Sequence, residues 1–204
     1  MTSGRADANR RRILDVALTE LLHDPEASMD QIARAAGVVR RTVYGHFPSR
    51  EALIAALVDN AAAAVAQAHA TGREGAGDPA EALARATLAV WEIADRYRLL
   101  VALAQRSVTM AGIKQRLTPV RDACTALLQR GLDEGVFVSP LPAEALAYVH
   151  EQTLFGLMEA VNEGALPAAE GGAAAAGTLL MTAGVTASRA AAVVGAALGQ
   201  PDGT

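Results

Sequence analysis

Apolar residues recur along this chain in stripes of helical period, and each stripe is bounded by residues that start or stop helices. Ile13, Leu14, Ala17, Leu18, Leu21 and Leu22 share one face, and their run ends at "HDPE". Ser28, followed by Gln31 at the capping-box spacing, starts a second helix whose apolar members are Ile32, Ala33 and Ala36. Gly37 stops it, as a left-handed residue just past a helix end would. A third, short helix is predicted from about Val39 to Gly45. "FPSRE" breaks the chain again, and Ser49 caps a fourth helix carrying Leu53, Ile54, Leu57, Val58 and Val65. "ATGREGAGDPAE" reads as a linker, with Asp78-Pro79 as N-cap and first residue of the next helix.

Beyond the linker, the same signals predict helices at roughly 79–96, 98–108, 119–134, 142–163 and 173–198, with a short helical turn from Ile113 to Leu117. Thr118-Pro119 and "PLPAE" supply starts; Gly135 and "NEGALPAAEGG" supply stops. No two-residue hairpin signal separates alternating runs, so the expected fold class is all-α. The expected division is a head over residues 1–50, a connecting fourth helix over about 50–70, and a body within 51–204.

Composition sharpens that division. Apolar residues make up 51% of the chain and aromatics only 3%, so the core is aliphatic and alanine-rich. Residues 1–50 carry eight arginines against six acids, whereas residues 51–204 carry ten basic residues against sixteen acidic ones. A basic head on an acidic body makes the head the candidate surface for a polyanion. Cys124 is the only cysteine, so no intrachain disulfide forms and a reducing cytoplasm fits. "MTSGRADANRRRILDVAL" lacks an apolar signal core and reads as a flexible arm.

The densest signal lies in "IARAAGVVRRTVYGHF". Ala33, Gly37 and Val43 stand where a helix-turn-helix needs a small residue, a turn glycine and an apolar contact. With Ile32, Val38 and Phe47 they form a small core on the leucines of the first helix, which turns Arg40, Arg41, Thr42, Tyr44 and His46 outward. Two guanidiniums at an exposed helix start suit a DNA major groove, where arginine bonds both guanine O6 and N7. Thr42, Tyr44, His46, Ser28 and Arg50 have the reach and chemistry for phosphate oxygens.

The segment from about Asn9 to Leu57 resembles the N-terminal domain of the TetR (tetracycline-repressor-like) family, through its I-A-x-x-A-G-V core, its T-x-Y-x-H-F signature and the basic residue that follows. The resemblance puts Arg40, Arg41, Thr42, Tyr44 and His46 on DNA-facing positions and Ser28 and Arg50 on backbone-contact positions. The family often has serine at Val39, glycine at Arg41 and lysine at Arg50; the arginine at 41 is expected to alter which bases are read. The bland alternative is a helical hairpin with merely solvated arginines.

The resemblance implies a two-fold dimer paired through the last two long helices, here 142–163 and 173–198, and an effector cavity among the middle helices. The small residues of "AAAAGTLLMTAGVTASRAAAVVGAAL" independently permit close helix approach. The competing reading of this run is a membrane anchor; its alanines, glycines and threonines contribute little insertion energy, so a soluble dimer is favoured and no membrane partner is expected. Two recognition helices about 34 Å apart would meet successive major grooves of a near-palindromic, double-stranded operator. Candidate effector-lining residues are Trp91, Met110, Tyr148, Gln152, Phe155 and Met158, and the aliphatic composition favours a mostly apolar small molecule.

No catalytic constellation appears, and no cofactor is expected. "GAGDPA" fits a loose dinucleotide-binding pattern, but no strand precedes it. Glu92 and Asp95 lie one turn apart on a solvated face, and the four histidines have no metal-ligand spacing. The leading expectation is a one-component transcriptional regulator, a repressor as is usual in the family; the alternative is a helical ligand-binding or scaffold protein without specific DNA binding.

Overall fold

A computed structural model describes residues 3–104 and 110–199 of the chain. Among them the backbone forms ten helices and no strand: α1 (Ser3–His23), α2 (Met29–Ala35), α3 (Arg40–His46), α4 (Arg50–Gly72), α5 (Pro79–Ala104), α6 (Met110–Arg116), α7 (Thr118–Asp133), α8 (Ala143–Asn162), α9 (Ala168–Thr182) and α10 (Ala187–Ala197). The all-α expectation holds.

The punctuation behaves as its chemistry requires. The Ser28 hydroxyl accepts from the Gln31 amide at 3.3 Å while the Gln31 side chain accepts from the Ser28 amide at 2.7 Å, a complete capping box. Ser49 Oγ accepts from the Ala52 amide at 3.1 Å, and Asp78 Oδ1 from the Ala80 amide at 2.7 Å.

Three expectations are corrected. The supposed flexible arm is helical from Ser3: it contains no proline, and adding turns to an already packed helix avoids a new nucleation step. The helices expected at 79–96 and 98–108 are one, α5, because Tyr97 is a buried side chain and nothing there breaks a helix; residues 105–108 of that expectation lie outside the described residues. The single helix expected over 173–198 is two. Gly184 takes φ +89°, which ends α9, and Thr186 accepts from the Arg189 amide to cap α10. That break also interrupts the run considered as a membrane anchor, in which Ala175, Ala176, Leu179 and Leu180 are core residues. By length and composition one described helix, α4, could cross a membrane. Its Leu53, Ile54, Leu57 and Val58 are instead buried in the protein.

The chain divides into two compact units. The first holds the chain up to Ala62 together with Tyr97–Arg116; α1 packs on α2, and α2 on α3. Ile13, Leu14, Ala17 and Leu21 of α1, Ile32 and Ala33 of α2, Val43 of α3 and Leu53, Ile54 and Leu57 of α4 are all buried. Burying each large side chain contributes about 1.5–3 kcal/mol.

The second unit holds Ala63–Arg96 and the chain from Leu117 on, with α7 against α8, α8 against α9 and α9 against α10. Its core joins Leu83, Leu127, Leu128, Phe137, Leu146, Leu180 and Val194. Arg121 and Glu151 form an ion pair at 2.8 Å, each side chain only 11% exposed, and the guanidinium stacks over the Tyr148 ring at 4.6 Å. Two histidines are buried as neutral groups. Thr182 donates its hydroxyl hydrogen to the Leu179 carbonyl, so at 3.0 Å His150 must donate from Nε2 to Thr182 Oγ1. Burial depresses the His150 pKa to about 4, and burial together with the Arg73 charge depresses that of His69 to about 4.

Two outcomes are expected. A Cβ at Gly184 would stand 2.0 Å from the Val138 carbonyl oxygen, on a backbone conformation that disfavours side chains. Gly184→Ala should therefore cost about 2–4 kcal/mol in urea unfolding. For the histidines, above pH 6.5 both states are neutral; below it the unfolded chain takes up protons that the folded chain refuses until pH falls to about 4. Stability should thus fall from pH 6.5 downward, by about 2 kcal/mol per histidine at pH 5. His150→Gln, which retains an N–H for Thr182, should flatten that slope relative to the parent.

Candidate nucleic-acid interface

The turn between α2 and α3 sets the geometry of the head. Gly37 takes φ +63°, its amide donates to the Arg34 carbonyl at 3.0 Å, and the Val38 amide donates to the Ala33 carbonyl at 3.0 Å. That pair of bonds is a Schellman ending, which saturates the last carbonyls of α2 and redirects the chain within a few residues. The Arg12 side chain donates to the Ala36 carbonyl, fastening α1 to the same turn. Val39 takes the N-cap position of α3 in extended conformation without a side-chain hydrogen bond, yet the helix starts at Arg40.

Within α3, Val43 is the one buried side chain and shows no exposure. Its burial, with that of Phe47 just past the helix, fixes which face points in. Arg40, Arg41 and Tyr44 are exposed, and Thr42 and His46 are half-buried. The Arg41 side chain makes no hydrogen bond or ion pair among the described residues, so its guanidinium is available. Arg40 Nη1 donates to Asp30 Oδ2 at 2.8 Å, and its guanidinium lies 5.1 Å from the Tyr44 ring centroid. The His46 ring lies 6.2 Å from that of Phe47. Ser28 is exposed, with its hydroxyl already engaged in the capping box; Arg50 is half-buried and donates to the Pro25 carbonyl.

Pattern reading passed over three partners of this surface: Arg12 at the turn, Asp30 beside Arg40, and Arg10, whose guanidinium lies 5.4 Å from the Phe47 ring centroid. Each contact joins residues far apart in sequence, so no spacing rule announces it. The only trace was the excess of arginine in the head.

The six residues suggested for an effector do not form one group. Trp91 and Met158 share a cluster with Val161, Ala175, Leu154, Leu157 and Leu166. The indole closely approaches the α9 backbone: a Cβ at Gly171 would stand 2.3 Å from its ring. Trp91 Nε1 is buried without a hydrogen-bond partner among the described residues. Phe155 is half-buried on α8, whereas Tyr148 and Gln152 are exposed, Tyr148 under the Arg121 guanidinium. Met110 is half-buried and belongs to the first unit. Among the described residues, no three His, Cys, Asp or Glu side chains converge as a metal site. Cys124 is held as a thiol, its pKa pushed up to about 12 by burial and the Glu151 charge.

Residues 13–57 match the sequence profile of the bacterial regulatory proteins of the tetR family. The HTH-type transcriptional repressor LfrR of Mycolicibacterium smegmatis is 46% identical over 55 residues, which cover 27% of this chain and 29% of LfrR. An HTH-type regulator of Pseudomonas putida, TtgW, is 41% identical over 59 residues, 28% of this chain and 44% of that protein. These matches span less than half of either relative. Solved structures extend the likeness across the chain: RolR in complex with resorcinol superposes with TM-score 0.65 at 20% identity, over 94% of this chain and 95% of RolR. LfrR with proflavine superposes with TM-score 0.67 at 23% identity, over 86% and 96%. At such identities the structures establish a shared fold, while the family's sequence profile matches residues 13–57.

Proposed function

We propose, for a chain whose residues 13–57 belong to the tetR family of bacterial regulatory proteins, that it is a one-component transcriptional regulator and acts as a repressor. The observation that carries this reading is α3 itself: a seven-residue helix anchored by Val43, with Arg40, Arg41 and Tyr44 exposed. Arg40 and Arg41 read base edges in the major groove, and Thr42, Tyr44, His46, Ser28 and Arg50 hold phosphates. Arg41 is the stronger candidate of the pair for a new contact, since its donors are uncommitted.

Two copies bind a near-palindromic operator as a dimer. Its interface is formed by α8 with α9 and α10, the pair of segments that replaces the expected last helix. Val149, Met181 and Leu198 are large apolar side chains left 39–47% exposed there, and a groove between α9 and α10 is lined by small residues such as Ala173, Gly177, Ala191 and Gly195. Exposed apolar groups of this kind favour a partner surface. A mostly apolar small molecule entering the body releases the operator by binding the released form more tightly than the DNA-bound one, because only differential affinity moves such an equilibrium. Trp91 and Met158 are the best placed of the candidate lining residues, as they share one apolar cluster. The protein works in the cytoplasm and performs no catalysis.

Arg40→Ala with Arg41→Ala should abolish sequence-specific retardation of the DNA upstream of its own gene, each base-reading arginine being worth about 1–3 kcal/mol. Retardation equal to the parent's would favour a helical ligand-binding or scaffold protein. Met181→Glu should keep the parent's helical far-UV spectrum while shifting sedimentation from dimer to monomer, with a lower unfolding midpoint as the stabilisation from pairing is lost. A monomeric parent would refute the paired arrangement.

A further inference from the structure

Asp30 looks misplaced on a surface meant for DNA. It occupies the first turn of α2, and its carboxylate stands beside the helix that carries the base-reading arginines. A carboxylate there repels phosphate, so its presence asks for a reason. Oδ1 is buried without a hydrogen-bond partner among the described residues, so the carboxylate's one partner is Arg40, whose Nη1 donates to Oδ2 at 2.8 Å. On its other side the Arg40 guanidinium meets the Tyr44 ring at 5.1 Å, with Nη2 3.4 Å from the Tyr44 hydroxyl. Arg40 remains exposed, so the contact holds the side chain without covering it. As an ion pair open to solvent, it adds little to stability. Its consequence is geometric: a guanidinium held on two sides loses less freedom when it bonds a base, and its remaining N–H groups point in a set direction.

We propose that Asp30 is a specificity-determining residue that positions Arg40 for base reading and penalises contacts made to phosphate alone. It rests on the reading of α3 as the DNA-contacting helix. With the correct base present, Arg40 stays bonded to Asp30 and to the base together. With a wrong base, Arg40 can reach a phosphate only by leaving Asp30, and the carboxylate then faces the backbone uncompensated.

The test is selection of binding sites from a random-sequence duplex library by the parent, Arg40→Ala, Asp30→Ala, Asp30→Asn and the double variant Asp30→Ala with Arg40→Ala. Affinity for one fixed random duplex is measured alongside. Arg40→Ala should flatten the base preference at one position of each half-site. Asp30→Ala should weaken the preference at that same position by about tenfold while tightening binding to the random duplex. Asp30→Asn, which keeps the acceptor oxygen, should recover part of the preference, and the double variant should be no flatter there than Arg40→Ala. Thermal unfolding controls for the loss of an acidic residue from the first turn of α2, and Asp30→Asn provides the comparison if Asp30→Ala does not fold. An Asp30→Ala preference equal to the parent's, or a change only at other positions, overturns the inference while leaving base reading by Arg40 intact. An unchanged profile for Arg40→Ala overturns that reading and this inference together.

Discussion

The head depends on one backbone conformation, the left-handed turn at Gly37. It lets α2 end with its carbonyls satisfied and lets α3 begin after only a few extended residues. A helix as short as α3 would not persist alone, because the cost of nucleation exceeds what so few hydrogen bonds return. Burial of Val43 and Phe47 and packing on α2 hold it in place instead, and the Arg12 bond to Ala36 ties the first helix to the bend. Burial of one face thereby dictates the exposure of the other. Which residues of α3 face solvent follows from where the core is.

The same coupling explains what was legible in the sequence. Ser28, Gln31, Ser49, Asp78 and Gly37 act locally, through bonds to backbone groups within a few residues, so spacing alone located the ends they define. The inward face of the head was legible because Ile32, Ala33, Val43 and Phe47 sit at fixed helical intervals. Legibility failed where context decides. The alanine-rich run over 173–198 keeps a helical pattern straight through Gly184, and only the approach of the Val138 carbonyl explains why that glycine is a corner. The N-terminal residues carry no apolar stripe, yet extend a helix already paid for by the turns that follow.

The candidate sites differ for the same reason. The positions expected to face DNA lie on one short helix, so a single register assigns them all. The Asp30–Arg40 and Arg10–Phe47 contacts cross between helices and left no linear trace. An effector cavity is assembled from several helices, and apolar residues chosen one at a time scatter: Trp91 and Met158 come together, while Tyr148 and Gln152 face solvent on α8. In the body, Val149, Met181 and Leu198 stay partly exposed on or beside α8, α9 and α10, apolar surface that the proposed pairing of two copies would cover.

Guanine N7 lies in the major groove and adenine N3 in the minor groove, so methylation of the two reports which groove is occupied. Methylation protection on the DNA upstream of the gene therefore tests most directly whether the exposed face of α3 enters a major groove. The account predicts guanine N7 protected in two tracts about one helical turn apart on one face of the duplex. Protection confined to adenine N3, or a single tract with no symmetric mate, would contradict it.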